Sequence, residues 1–130
     1  MLRKHLKLLA QLTLVLGVSS VWAGAYEDFF KSTLNDDAGT VSALLARGFD
    51  PNSRDEKGQN LLYLSQRDGA PKVAQVLLDH PQLRVDLLNS AGETALMMAA
   101  LRDQDAWVAR MLDKGARIEG GAEPGQAGWT

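Results

Sequence analysis

The sequence predicts an all-α solenoid of about three helix-turn-helix repeats. The segment Gly58–Gln66 recurs one period later as Gly92–Ala100. Apolar positions recur at the same interval, because Leu45, Leu78 and Leu112 are almost equally spaced along the chain. Each copy holds two short helical segments, and neither segment can bury its apolar side alone. A period of about 33–34 residues is typical of repeat arrays, in which each unit packs on its neighbours.

The first repeat is expected to begin with a helix that starts at Tyr26 and continues to Leu34. A second helix is predicted over Ala38–Ala46, ended by Gly48 because the left-handed conformation after a helix favours glycine. The loop between them carries the chain's paired carboxylates, Asp36 and Asp37. Their position just before a helix indicates capping and dipole partners rather than a catalytic pair, which would need to face a cleft.

The second repeat is expected to contain a helix over Asn60–Arg67, with Asn60 at the cap position. Pro71 suits the first position of the next helix, where its missing N–H has no partner to lose. The segment 80–83 (His-Pro-Gln-Leu) should end that helix and lengthen the repeat slightly. The buried stripe of this helix is predicted from i, i+3, i+4 spacing to be Val73, Val76 and Leu77.

The third repeat has the clearest helix start. Thr94 is a good N-cap because its hydroxyl can accept a backbone N–H of the first turn, and the apolar residues that follow favour helix. Its second helix should be lined by Trp107, Val108, Met111 and Leu112. The predicted repeats lie within residues 24–119, at about 26–54, 55–88 and 89–119. Residues 120–130 are predicted to be a glycine-rich tail or the start of a further, truncated repeat.

The segment Thr94–Ala100 is similar to the T-P-L-H-x-A-A motif of ankyrin repeats. Met111–Ile118 is similar to the family's L-L-x-x-G-A-x-V, and Leu44–Asn52 matches that part and adds the usual Asn. The chain therefore resembles the ankyrin repeat family, which implies β-hairpin-like fingers between the helix pairs. Tyr63 and Met97 depart from the pattern, since the family often has there a histidine that links neighbouring loops.

The segment 1–23 is predicted to be a secretory signal peptide. Three cations lie within positions 3–7, an apolar run follows over Leu8–Val18, and Ala23 or Ala25 suits the cleavage site. This apolar run is short for crossing about 30 Å of hydrocarbon, which favours cleavage over an uncleaved anchor. We therefore expect a periplasmic or secreted protein, with a bacterial periplasm preferred to a eukaryotic secretory route.

The charge and the residue composition argue against several classes of function. The chain has 14 cations and 16 anions, and removing the three leader cations leaves 14 − 3 = 11, a net charge of −5. An acidic surface without a basic cluster disfavours nucleic acid. Cysteine is absent, and His80 is the one histidine after the leader. This composition leaves too few ligands for a zinc site and no cysteine nucleophile, so we expect no catalysis, metal or cofactor.

The resemblance implies protein–protein binding through the finger tips and the exposed side of each first helix. The finger and helix positions that we assign to this surface are Arg54, Glu56, Lys57, Gln59, Arg67, Asp68, Ser90, Glu93, Leu101 and Arg102. Arg54, Lys57, Arg67 and Arg102 could form a basic strip, which hints at an acidic partner. We expect a monomer, without a stable membrane anchor after cleavage, that protects or restrains an exported enzyme. The alternatives are a secreted effector that binds host proteins and a hydrolase with an unrecognised site.

Overall fold

The computed structural model describes residues 22–118, which form three stacked helix pairs. The predicted leader up to position 21 and the tail from position 119 lie outside the described residues. Helix α1 covers 22–31 in its described part and leads into a 3-10 turn, Ser32–Leu34. The other helices are α2 (Ala38–Ala46), α3 (Leu61–Asp68), α4 (Pro71–Leu78), α5 (Ala95–Leu101) and α6 (Asp105–Asp113). None of the helices within 22–118 has the length and apolar character that crossing a membrane requires.

The helices form two layers. In the inner layer, α3 packs against the 3-10 turn on one side and against α5 on the other, while α2 and α4 pack together in the outer layer. The repeat is visible in the core, because Leu44, Leu77 and Met111 hold equivalent positions in the three repeats and are all buried. The segment Leu61–Gln66 of α3 is buried throughout, since this helix has a neighbour on both sides.

Helix ends follow local signals in the sequence. Thr94 caps α5 by accepting from the Met97 amide at 3.2 Å, and Asn60 caps α3 by accepting from the Tyr63 amide at 2.9 Å. Pro71 stands at the start of α4, as expected. Gly48 has a positive φ of 100° and follows Arg47, the C-cap residue of α2. The sequence-derived cap positions are therefore confirmed.

The two adjacent carboxylates cap two different helices. Asp37 caps its own helix, α2, by accepting from the Thr40 amide at 3.1 Å. Asp36 accepts from the amides of Lys72 and Val73, at 3.2 and 2.9 Å, at the start of α4 in the next pair. The interpretation of this pair as caps is confirmed, and Asp36 additionally connects the first repeat to the second.

An aromatic cluster holds the start of the first finger against α1. The Phe49 ring lies 5.1 Å from Trp22, 4.6 Å from Tyr26 and 5.7 Å from Phe29, measured between ring centroids. Phe29 and Phe49 are buried, whereas Tyr26 keeps 40% of its surface exposed. This cluster fixes one edge of the surface described below.

Two local predictions were wrong. Leu45 is half-buried and Leu112 is 40% exposed, although both were expected in the core with Leu78. Leu78 is covered because residues of α6 lie beside it, whereas no described pair follows Leu112. The first helix starts before Tyr26 and gives way to the 3-10 turn after position 31. By contrast, the prediction of β-hairpin-like fingers in an all-α solenoid agrees with the structure: within the described residues an isolated antiparallel bridge joins Arg54 to Asn60, and the fingers contain no regular strand.

Candidate partner-binding surface

An open groove of 790 Å³ lies between α1, the first finger (residues 49–60) and the inner helix α3. Apolar groups from both helices and the 3-10 turn form part of its wall: Tyr26, Phe30, Leu34 and Leu64. The finger contributes Arg54, Asp55, Glu56 and Lys57, and α3 also contributes Arg67. The groove thus combines an apolar wall with a charged rim, and it contains Arg54, Glu56, Lys57 and Arg67 of the predicted surface.

The two fingers repeat the same turn. In the first finger, the Asp55 carboxylate accepts from the amides of Lys57 and Gln59, both at 2.9 Å. In the second finger (residues 83–94), the Asn89 side-chain carbonyl accepts from the amides of Ala91 and Glu93 at 3.0 and 2.8 Å. A short side chain that bonds the backbone two positions onward is a common way to stabilise such a turn.

The fingers are joined to each other through predicted contact residues. The Arg54 guanidinium donates to the Leu88 carbonyl at 2.7 Å, and the Ser90 hydroxyl donates to the Lys57 carbonyl at 2.9 Å. The side-chain amide of Asn89 donates to the side-chain carbonyl of Gln59 at 2.9 Å. Arg54, Gln59 and Ser90 therefore position the finger tips.

Tyr63 supplies a link at the place where the family often has histidine. Its hydroxyl donates to one carboxylate oxygen of Glu93 at 3.4 Å. The side-chain amide of Asn89 donates to the same oxygen at 3.2 Å. Burial, followed by the nearby Glu93 carboxylate, raises the pKa of Tyr63 above its usual value. At the equivalent place in the third repeat, the Met97 sulfur accepts from the Thr94 amide at 3.4 Å within its own repeat.

The charged groups of the inner helices are mostly paired. Arg67 donates twice to Asp68, at 2.8 and 3.0 Å, and Asp68 also accepts from the Thr33 hydroxyl at 2.7 Å. The hydrogen bonds from Arg67, together with the one from Thr33, lower the pKa of the Asp68 carboxyl. On α1, Lys31 pairs with Glu27 at 2.5 Å.

These pairs change the interpretation of the predicted basic strip. Arg67 is neutralised by Asp68, and Arg54 is used to position the second finger. Glu56, Lys57 and Arg102 are exposed, and within residues 22–118 their side chains form no hydrogen bond or ion pair. The charges available to a partner are therefore of both signs rather than a run of free cations.

The inner layer also exposes leucine. Leu34 and Leu101 keep 66% and 73% of their surface exposed, and Leu101 was among the predicted contact residues. Sequence reasoning did not single out Tyr26, Phe30 and Lys31 as groove residues. Phe30 precedes Tyr63 by one repeat, so its repeat position was the available signal.

The residues that sequence analysis considered as metal ligands are spread apart in the described part of the chain. Within 22–118, no group of three or more His, Asp and Glu side chains is arranged to hold a metal ion. The His80 ring accepts from the Gln82 amide at 3.1 Å, which makes it part of the turn after α4.

Comparison with known families agrees with this architecture. A family model described as ankyrin repeats, in three copies, matches residues 30–120. The matched range includes both fingers and all helices from α2 to α6.

Proposed function

Because this chain belongs to the ankyrin repeat family, whose members are generally non-enzymatic protein–protein interaction modules, we propose that it binds an exported enzyme and protects or restrains it. The proposed contact surface consists of the groove, the two finger tips and the exposed side of the inner helices. The observation that carries this proposal is the 790 Å³ groove, which places exposed apolar groups beside a charged rim.

The hydrogen bonds between the fingers favour binding. A loop that must become ordered on binding reduces the affinity by the entropy that it loses. Here Arg54, Gln59 and Ser90 already hold the two fingers together, and Phe49 fixes the first finger against α1. The surface is therefore arranged for a partner before the partner arrives.

Export is the second part of the proposal, and it rests on the charged and apolar pattern of the leader. The structure describes the chain before cleavage. Both proposed cleavage sites, after Ala23 and after Ala25, lie within α1. Cleavage after Ala23 removes Trp22 from its stack on Phe49 and leaves Tyr26 and Phe29 against that ring. Cell fractionation of an expressing bacterium, with intact mass measurement, tests this point. A periplasmic product that begins at Gly24 or Tyr26 would support export, and a full-length cytoplasmic product would contradict it.

The binding surface is tested by exchanging two adjacent charges at the finger tip. The variant combines Glu56→Lys with Lys57→Glu, which keeps the net charge and touches no internal hydrogen bond of either side chain. The matched control combines Asp113→Lys with Lys114→Glu at the end of α6, again an exposed acid followed by a base. Proteins captured from a periplasmic extract should bind the finger variant at least tenfold more weakly and the control as tightly as the original chain.

Equal binding by all three proteins would contradict the proposed surface. The identity of the captured protein tests the role. An exported enzyme whose activity or lifetime changes in the complex supports the proposal, whereas a specific host-cell protein would indicate a secreted effector.

A further inference from the structure

Trp22 occupies a defined aromatic site on the folded repeats. Its indole stacks on the Phe49 ring, with 5.1 Å between the ring centroids and 26° between the ring planes. The Arg47 guanidinium lies 5.6 Å from the centroid of the Trp22 ring. Offset stacking of two rings and a cation within about 6 Å of a ring are both favourable contacts. The site therefore contacts one flat aromatic ring with a phenyl ring and with a cation.

The residue in this site belongs to the predicted leader, whereas the residues that form the site belong to the repeats. Cleavage after Ala23 and cleavage after Ala25 both remove Trp22. Arg47 and Phe49 remain, because they lie at the end of α2 and at the start of the first finger. In the cleaved chain, the place of the indole is then free for another aromatic group.

The site stays suited to a ring after Trp22 has left. Phe49 is only 3% exposed with Trp22 in place, so loss of the stacked indole uncovers part of the phenyl ring. Tyr26 and Phe29 still lie against Phe49, at 4.6 and 5.7 Å between ring centroids, and hold it in position. The Arg47 side chain forms no hydrogen bond or ion pair within residues 22–118, so no carboxylate there competes with an incoming ring.

The contacts of Trp22 show which chemistry the site accepts. A carboxylate would gain a charge contact with Arg47 but would lie against the apolar ring of Phe49, which disfavours a charged group. An aliphatic side chain would cover Phe49 but would gain nothing from the cation. An aromatic ring contacts both groups favourably, as the indole does in the chain before cleavage. Tryptophan and tyrosine are also common among the side chains that dominate binding energy at protein interfaces.

The site lies beside the proposed contact surface. Tyr26 belongs to the aromatic cluster and also lines the groove between α1, the first finger and α3. A partner segment that occupies the groove can therefore reach Phe49 without a second, separate contact region.

We propose that removal of the leader opens a binding site at Phe49 and Arg47, and that the partner inserts one aromatic side chain where Trp22 lies before cleavage. This inference rests on the proposed function, because it requires both an exported chain and a protein partner. It also sets an order of events, since a chain that keeps its leader keeps the site filled.

The test compares three proteins that differ only at this site. They are the cleaved chain that begins at Gly24, a chain extended back to Trp22, and the extended chain with Trp22→Ala. Displayed random peptides selected on the cleaved chain supply the probe, and the enriched peptides should share one aromatic position. The best peptide, labelled and measured by fluorescence anisotropy, should bind the extended chain about fivefold more weakly than the cleaved chain. Trp22→Ala should restore the affinity of the cleaved chain.

A second pair of variants tests the cation. Arg47→Gln in the cleaved chain should weaken binding of the peptide about threefold. The matched control is Arg110→Gln, because the Arg110 guanidinium lies 4.6 Å from the centroid of the Trp107 ring on α6. This control should bind the peptide unchanged. Because Arg47, Arg110 and Trp22 are all exposed, the variants should fold, and circular dichroism with thermal melting checks this.

Equal binding by the cleaved and the extended chain would overturn the inference. Enriched peptides without a shared aromatic position, or an unchanged affinity for Arg47→Gln, would overturn it as well. If the peptides then depend on the exchange at Glu56 and Lys57, the proposed function survives this failure. If the leader stays attached in the expressing bacterium, the export part of the proposed function fails and this inference fails with it.

Discussion

The two fingers have nearly the same local structure but different surroundings. Gly58 and Gly92 share a φ of 77°, and each follows a side chain, Asp55 or Asn89, that caps the turn. A Cβ on Gly58 would lie 2.9 Å from the side chain of Ser90, whereas a Cβ on Gly92 would meet no other described atom within 4 Å. The local sequence therefore determines the turn, and the next repeat determines how much room the turn has.

The same contrast applies to whole helix pairs. The middle pair has a neighbour on both sides, and all of Leu61–Gln66 is buried. In the third pair, Leu101 and Leu112 stay exposed. In a repeat array the stability of a unit depends on its own helices and on each contact with a neighbour. The following substitutions separate these two contributions.

The largest difference should appear between Leu78 and Leu112, which hold equivalent positions. Leu78 is 4% exposed and Leu112 is 40% exposed. Leu78→Ala leaves a cavity between repeats and should lower the free energy of unfolding by about 3 kcal/mol. Leu112→Ala should lower it by less than about 1 kcal/mol, because little buried contact is lost. Urea denaturation measures both values, and similar losses would show that the neighbour does not bury Leu78.

The second comparison uses the finger glycines. Both Gly58→Ala and Gly92→Ala place a side chain at a positive φ, which costs about 1 kcal/mol. Gly58→Ala should lower the free energy of unfolding by about 1–2 kcal/mol more, because its Cβ meets Ser90. The control is Ser90→Gly combined with Gly58→Ala, which should recover the steric part. Equal losses at the two glycines would contradict the close contact between fingers.

The third comparison concerns the ion pair of the middle repeat. Arg67 holds the pKa of Asp68 below its unfolded value, so the pair stabilises the fold above the unfolded pKa of about 4. This stabilisation, about 1 kcal/mol for a partly buried charged hydrogen bond, is lost as the pH falls through the lowered pKa. Asp68→Asn should therefore lower stability at neutral pH and flatten its decrease on acidification. Urea titrations from neutral to strongly acidic pH measure the profile. If Asp68→Asn leaves the profile unchanged, Asp68 does not cause the loss of stability on acidification.

The smallest effect should come from giving α3 the cap residue that α5 has. Asn60 and Thr94 hold equivalent places, but the Asn60 amide nitrogen is buried without a hydrogen-bond partner. Asn60→Thr keeps an oxygen for the Tyr63 amide and removes the unpaired donor, so stability should rise by about 0.5 kcal/mol. Asn60→Ala is the control, since it removes the cap as well and should lower stability by about 1 kcal/mol. Thermal melting compares the three proteins, and a loss on Asn60→Thr would contradict the expectation.

Much of the fold was predictable because its signals are local. Pro71, Thr94 and the span Ala38–Ala46 coincide with helix boundaries in the structure. Such boundaries depend on side chains within one turn of the helix end, and those side chains can be identified in the sequence.

The contacts between repeats were less predictable. The hydrogen bond that Arg54 donates to Leu88 and the one that the Val73 amide donates to Asp36 each join one repeat to the next. Both depend on how adjacent repeats align. Arg67 illustrates the consequence for the candidate surface. The sequence shows that a cation stands at the right place. Only the structure shows that Arg67 is paired with Asp68, which also accepts a hydrogen bond from Thr33.

Amide hydrogen exchange of the whole protein tests most directly the claim that neighbours on both sides stabilise a helix pair. Peptides from α3 and α4 should exchange slowest, and those from α6 should exchange faster, since the outer side of α6 has no described neighbour. Protection of Asp105–Asp113 equal to or greater than that of Leu61–Asp68 would contradict the account.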